Sequence, residues 1–460
     1  MVRVALALIL LAACGESRPP KSSMPTLAPP PAVAITPEAA VVDHSVEGKG
    51  RAFIAMLVAQ NFAGAVATFD ATMAAALPEA KLAETWQSIL QGSGAFEAVE
   101  SVRVERVAKY ELAIVTCKFA KTKLEVSIPY DQAGKVAGLN FTPPTEPYRD
   151  PPYVDRSKFD ERDVTVGSGE WALPGTLALP KGMGPFRAVV LVHGSGPNDR
   201  DESVGANKPF KDLSGALASR GIAVVRYDKR TKVHPGKLAK LTDATIDHEI
   251  VDDAIAAVEL LRTIKEIDQA HIVVVGHSLG GFAAPRIGAK SKHIAGLAIL
   301  AGSTRPIPDM MLEQMEYMAS LDPNAATALA STIAEVKTAQ ARIKELQAGG
   351  AVKPGEFILG GQAAYWSDIG RYDVLAVAKK YAKPMFIAQG GRDYQVTLVD
   401  FEAFKKALAK RKNVTFKLYA ELNHLFGAGI GKSSPAEYQQ RVAVDQRLVD
   451  DLAAWVGALK

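Results

Sequence analysis

Residues 272–281 run Ile272-Val273-Val274-Val275-Gly276-His277-Ser278-Leu279-Gly280-Gly281, an unbroken β-branched stretch that enters a glycine-bracketed serine and continues as a helical pattern. No other segment restricts the fold as tightly. An apolar run of this kind is a strand buried on both faces, which calls for a mostly parallel sheet with helices covering each side. Small residues at 276 and 280 let the chain turn from strand to helix within one tight elbow, lifting the Ser278 hydroxyl clear of the sheet at a helix N-terminus. There the backbone N–H of Leu279 can stabilise an oxyanion. In a chain of 460 residues with 37 glycines the pattern Gly-x-Ser-x-Gly also arises by chance, so its weight comes from the strand before it and the helix after it.

A serine nucleophile needs a base, and the base needs an orienting carboxylate; in an elbow of this type both follow the serine, at strand ends, carboxylate first. Met385 to Gln389 is a buried strand, and Gly390-Gly391-Arg392-Asp393 places Asp393 in the loop beyond it. Residues 414–419 form another strand, leading through Ala420-Glu421-Leu422-Asn423 to His424, the only histidine after His293. Asp368 and Asp373 are inferior rivals because neither follows a buried strand. The other strands fall at 188–193, 222–227 and 296–300, with helical stretches at 210–220, 246–264, 280–288, 401–410 and 438–457 and a hairpin-like start at 163–167 and 175–179. Substrate is expected at the C-terminal ends of the strands.

The loop His193-Gly194-Ser195-Gly196-Pro197 follows one of those strand ends and is expected to supply a second oxyanion donor, the amide of Ser195 or Gly194. Asn198-Asp199-Arg200-Asp201-Glu202 and Tyr227-Asp228-Lys229-Arg230 are dense in opposite charges. They read as ion pairs fixing loops near the site, with a solvated charged rim as the plainer alternative. The connection over about residues 303–380 is far longer than a normal one and reads as a helical lid, whose Met310, Met311, Met315 and Met318 suit either an adaptable acyl pocket or the packing of the lid on the body. Nothing in the pattern offers an acidic pocket for a peptide amine.

With those motifs in place, residues 160–460 resemble the α/β-hydrolase superfamily, particularly bacterial esterases and the dienelactone-hydrolase-like and serine-aminopeptidase-like hydrolases. The stretch from His193 to Glu202, with Phe210-Lys211-Asp212-Leu213 and Arg226-Tyr227-Asp228-Lys229-Arg230, is similar to a bacterial carboxylesterase subgroup. The resemblance implies an α/β-hydrolase fold with a helical lid, a triad of Ser278, Asp393 and His424, an acyl-enzyme, small-molecule esters as substrates, and no metal or other cofactor. His-Gly-Ser-Gly stands where the best-known lipase pattern has His-Gly-Gly-Gly, so the choice between the two amides stays open. The same triad serves peptidases and thioesterases, and a non-catalytic binding lipoprotein of the envelope could keep such a scaffold.

The first half is organised differently. Residues 1–13 carry Arg3, an apolar run too short to span a bilayer, and a small-residue end before Cys14, which reads as an export signal. Leu11-Ala12-Ala13-Cys14 resembles the bacterial lipobox, implying cleavage before Cys14, lipidation of its sulfur and attachment to a membrane of the cell envelope. Gly15 rather than Asp follows, which favours the outer membrane, on its periplasmic face. Residues 14–50 are a proline-rich tether. Residues 51–145 are expected to form a small α+β domain, two or three helices up to residue 91 and then four strands. Residues 51–142 resemble an uncharacterised bacterial family laid out like the NTF2 or cystatin folds. With Cys14 and Cys117 the only cysteines, no disulfide framework is possible, and Cys117, in an apolar strand-like run, reads as a buried inert thiol. Lys plus Arg number 54 against 50 Asp plus Glu, a formal charge of +4, which is no footprint for nucleic acid.

Overall fold

The computed structural model describes residues 45–107, 110–142, 144, 148–353 and 355–460. The export signal, Cys14 and most of the expected tether therefore lie outside the described residues. Among those described, no helix is long and apolar enough to cross a membrane. The chain divides into two compact units at Pro147 and Tyr148.

The first unit holds four helices, Val46–Val58, Phe62–Ala67, Ala71–Ala76 and Glu79–Ser93, where two or three were expected. The difference lies in capping: the side chains of Asn61 and Asp70 accept from the amides of Gly64 and Met73 and so restart the helix twice. Val46–Val58 also begins inside the stretch expected to be tether. Four antiparallel strands follow in sequential order, Phe96–Val107, Tyr110–Phe119, Lys123–Tyr130 and Asn140–Thr142. The last is only three residues long, and Val136 ahead of it makes isolated bridges to Phe69 and Tyr130. Phe53, Leu57, Leu82 and Trp86 from the helices pack with Val115, Cys117 and Phe119 from the sheet into one core. Cys117 is a fully buried free thiol, and burial pushes its pKa up to about 12, which makes it inert as a nucleophile.

The second unit is built on eight strands: β1 (Phe159–Val166), β2 (Leu173–Pro180), β3 (Phe186–Val192), β4 (Ala223–Tyr227), β5 (Ile267–His277), β6 (Ile294–Leu300), β7 (Met385–Gly390) and β8 (Val414–Tyr419). Their order across the sheet is β1-β2-β4-β3-β5-β6-β7-β8, antiparallel for the first two pairings and parallel from β4 onward. The central strands read as continuous apolar runs because both faces are covered. Val190, Val274, Ile299 and Ile387 point into one core, while Leu191, Val275, Leu300 and Phe386 point into the other. Chain order reverses around β3, opening a crevice between the C-terminal ends of β3 and β5, the place where such sheets take ligands.

Several expected boundaries move. The unit begins at Tyr148 rather than near residue 160: the Tyr148 hydroxyl donates to Asp212 at 2.9 Å and the Tyr153 hydroxyl to the Val444 carbonyl. The helical stretch from 246 opens as a π-helical turn, Asp247–Val251, before the α-helix Asp252–Arg262. The final helix is Gln446–Ala458, because Asp445 caps it and Tyr438 belongs to a separate short turn, Pro435–Gln439. Between β6 and β7 the long insertion carries helices Ile307–Leu321, Pro323–Gln347, Ala363–Arg371 and Val374–Lys380 and a two-residue hairpin. Arg286 and Asp368, 3.0 Å apart, tie it to the body.

Candidate active site

Strand β5 ends at His277, Ser278 follows with φ +53° and ψ −115°, and the helix Leu279–Lys290 starts at once. A positive φ at a non-glycine residue is a strained conformation that persists only when the surroundings impose it. Here the surroundings are backbone. A Cβ at Gly276 would lie 2.2 Å from the Gly280 carbonyl oxygen, and one at Gly280 would lie 2.2 Å from that of Val192. Neither position tolerates a side chain, which is the steric reason for the glycine bracket seen in the sequence. The Ser278 hydroxyl does not cap the helix it begins and faces a cavity instead.

Asp393 follows β7 and His424 follows β8, and the two meet: His424 Nδ1 is 2.7 Å from Asp393 Oδ2, with both side chains buried. The amides of Gln395 and Val396 donate to Asp393 Oδ1 at 2.8 and 2.9 Å, and Gln389 Nε2 donates to Oδ2 at 2.9 Å. A carboxylate held at both oxygens cannot rotate, so the imidazole it fixes presents its other nitrogen, Nε2, in one direction. His424 lines the same cavity as Ser278. The two rival carboxylates are engaged elsewhere, Asp368 with Arg286 and Asp373 as the cap of Val374–Lys380.

The two expected oxyanion donors on the β3 loop separate. The Gly194 amide donates to Glu202 Oε1 at 2.6 Å and is unavailable to substrate, so that assignment is corrected. A buried amide cannot serve a carboxylate and an oxyanion together. Ser195 and Leu279 both line the cavity, and their amides have no partner among the described residues. A Cβ at Gly194 would stand 3.1 Å from Ser278 Cβ, which measures how closely this loop lies against the serine.

The cavity has a volume of about 980 Å³ and walls that are largely apolar, with Met310, Met311, Leu359, Tyr365 and Trp366 contributed by the insertion. Among the described residues no group of His, Cys, Asp and Glu is arranged to hold a metal ion. Residues 189–438 match a family described as the alpha/beta hydrolase family, and residues 51–139 one described as a protein of unknown function (DUF3887). A protein of Thermotoga maritima named Esterase EstD is 38% identical over 408 residues, covering 88% of this chain and 93% of its own length. The chain belongs to the α/β-hydrolase family. Solved structures similar to this hydrolase include esterase Pf2001 of Pyrococcus furiosus, 17% identical with a TM-score of 0.41 over 65% of this chain and 93% of that one. Another is the acylaminoacyl peptidase of Pyrococcus horikoshii, 15% identical with a TM-score of 0.43 over 80% and 49%.

What sequence reasoning missed in this hydrolase is the burial of its charges. Glu202, Lys229 and Arg230 are buried, so the charged runs that contain them are no solvated rim at these positions. Glu202 Oε2 lies 3.0 Å from His277 Nδ1, and His277 Nε2 is 2.9 Å from the His424 carbonyl oxygen. The His424 carbonyl only accepts, so Nε2 carries a proton and donates to it, while Nδ1 meets Glu202 as a close ion-pair contact outside hydrogen-bond geometry. Burial works against that charge, but the Glu202 carboxylate outweighs it and holds His277 above its ordinary pKa. Burial likewise opposes ionisation of Glu202, and His277 beside it holds the carboxyl below its usual range. Glu202 also has a φ of +52°, a second strained residue near the serine. His193 is the opposite case: burial pushes its imidazole down to about 4, and the neutral ring packs against Phe210 and Tyr227.

Proposed function

We propose that this protein is a serine carboxylesterase that works through an acyl-enzyme on Ser278. The observation that carries the reading is the buried 2.7 Å contact of Asp393 with His424, whose ring faces the cavity that the strained Ser278 also faces. In this mechanism Ser278 Oγ attacks the ester carbonyl while His424 Nε2 takes its proton, and the new oxyanion is held by the amides of Leu279 and Ser195. The tetrahedral species collapses, the alkoxide leaves with the proton from His424, and the acyl group remains on Ser278. Water activated by His424 then attacks the acyl-enzyme and releases the carboxylic acid. Asp393 stays ionised and stabilises the imidazolium that forms in each half-reaction.

Apolar walls favour esters over peptides. The two carboxylates on the cavity wall, Glu202 and Glu249, are already taken by His277 and by Lys229, whose Nζ is 2.6 Å from Glu249. Neither is free to receive a peptide amine. The name of the 38% identical relative supports the same choice. Hydrolysis of p-nitrophenyl acetate, butyrate and octanoate by the chain from residue 16 onward tests the reading. A burst of p-nitrophenol equal to the enzyme concentration is expected, lost in Ser278→Ala with a fall in kcat of about 10⁴-fold or more. Turnover that survives in Ser278→Ala overturns the serine mechanism. The Leu11-Ala12-Ala13-Cys14 segment supports a lipid-anchored protein on an extracytoplasmic membrane face, the outer membrane favoured by Gly15. Metabolic labelling with a fatty-acid analogue, abolished in Cys14→Ser, tests that assignment.

A further inference from the structure

We propose that Lys229 and Asn198 are positioning residues for oxyanion stabilisation: together they clamp the Gly194 carbonyl so that the 194–195 peptide presents the Ser195 N–H to the reacting centre. The inference rests on the Ser195 amide being an oxyanion donor, as set out above. Lys229 Nζ donates to the Gly194 carbonyl oxygen at 2.8 Å, and Asn198 Nδ2 donates to the same atom at 3.1 Å. A trans peptide is planar, with C=O and N–H pointing in opposite directions. Holding the Gly194 oxygen therefore sets the direction of the Ser195 N–H. Ser195 and Asn198 line the cavity and Lys229 does not, so the lysine holds the Gly194 oxygen from outside the cavity wall while Asn198 holds it from within the wall.

The rest of the loop is braced as well. Asn198 Nδ2 also donates to the Ser195 carbonyl at 2.9 Å, Thr231 Oγ1 to the Gly196 carbonyl at 3.0 Å, and the Lys229 amide to the Asn198 carbonyl at 3.0 Å. On the other flank Glu202 takes the Gly194 amide. The 193–194 peptide is thus held through its N–H and the 194–195 peptide through its C=O, which leaves the Ser195 N–H as the donor of that pair still to be satisfied.

Stability alone does not account for a lysine here. Its side chain is 2% exposed, with Glu249, from the π-helical turn Asp247–Val251, as its counter-charge. Buried ion pairs of this kind gain little over well-packed apolar residues of the same volume. An ammonium on the Gly194 oxygen does something an apolar side chain cannot: it polarises the peptide and strengthens the N–H at its other end. That gain is largest when negative charge develops on the substrate oxygen, so it belongs to the transition state rather than to substrate binding. Tyr365, from the insertion, faces Glu249, and burial followed by the Glu249 charge raises its pKa well above the ordinary value. One charged group thus connects the insertion, the π turn and the oxyanion loop.

The full chain carrying Lys229→Met, Asn198→Leu or both tests the proposal, with p-nitrophenyl butyrate as substrate and an alkyl trifluoromethyl ketone as inhibitor. Ser278 Oγ adds to the ketone carbonyl, His424 takes the proton, and the hemiketal oxyanion occupies the position of the reaction's own. Each single variant is expected to lower kcat per titrated site by about 10- to 100-fold with KM changed less than about threefold, and to weaken the ketone by the same factor as kcat/KM. Should Lys229→Met fail to fold with Glu249 left unpaired, Asn198→Leu, at a half-buried position that keeps that ion pair, decides alone. A loss confined to the burst amplitude, with kcat per site and ketone affinity unchanged, overturns the proposal and leaves a purely structural role. If turnover by the wild type does not depend on Ser278, the serine mechanism fails and the proposal with it; if it does depend on Ser278 and the clamp variants match wild type, the proposal alone fails.

Discussion

His424 and His277 are both buried beside a carboxylate, Asp393 at 2.7 Å and Glu202 at 3.0 Å, and their ring centroids are 4.7 Å apart. The regions they belong to use that arrangement in opposite ways. On the β7–β8 side the carboxylate occupies one ring nitrogen of His424 and leaves the other to the cavity, which is the arrangement a proton carrier needs. On the β3–β5 side neither ring nitrogen of His277 is open to the cavity: Nδ1 is buried against Glu202 as an ion-pair contact, and Nε2 is hydrogen-bonded to the carbonyl of His424 itself. That ring has no nitrogen left to exchange protons with substrate. It braces instead, joining the β3 loop, through Glu202 and Gly194, to the loop that carries His424. A carboxylate–imidazole pair is therefore suited to proton transfer or to bracing according to whether one nitrogen stays free.

The contrast is most sharply tested at Asp393. Asp393→Asn keeps the volume but removes the charge that stabilises the imidazolium, and kcat for p-nitrophenyl butyrate is expected to fall by about 10⁴-fold. Equal losses at Asp393 and Glu202 would erase the distinction between the two pairs. Glu202→Gln keeps an acceptor for the Gly194 amide and loses only the charge-assisted part of its contacts, so a fall in kcat of about tenfold is expected at pH 8.

The pH dependence of stability separates the pairs more finely. Burial works to lower the His277 pKa and Glu202 outweighs it, so the folded-state value exceeds the unfolded one. A histidine of that kind contributes stability that is full below about pH 6.5 and is lost as the pH rises through its folded-state value. Thermal melts are expected to show the wild type losing a few degrees in Tm as the pH rises above about 6.5 that Glu202→Gln does not lose. Coincident curves would show that the pair contributes nothing through its charge. The smallest effect is expected from deleting residues 1–147, since both pairs and the cavity lie in the unit that starts at Tyr148. Ester hydrolysis should stay within about twofold of the full chain; a folded truncation with a large loss of kcat would give the first unit a part in catalysis.

Of the two pairs, only Asp393 with His424 was legible in the residues. Asp393 and His424 each follow an apolar strand, in the order that an elbow serine demands, and His424 has no later rival. Glu202 and His277 offer no such order. Glu202 sits in a charged run that reads equally well as a wet surface, and His277 appears only as the variable letter inside Gly276–Gly280. Their contact depends on β3 and β5 being neighbours in the sheet. Choosing between the Gly194 and Ser195 amides depends on the same adjacency, since Glu202 removes one of them. The late start of the second unit was hidden for a similar reason: Tyr148 and Tyr153 lie among prolines and are tied down by residues far along the chain, Asp212 and Val444 among them.

The sequence by itself determined the buried parallel sheet, the tight turn at Ser278 between Gly276 and Gly280, and the strand ends that carry Asp393 and His424. Those follow from short-range sterics and from the period of apolar residues, which a linear chain displays directly. Tertiary structure alone decided which loop amide stays free, that Lys229 and Glu202 are buried, and that one of two neighbouring imidazoles keeps an open nitrogen. A buried polar group must find partners wherever the fold brings them, and its role is set by the partner it lacks.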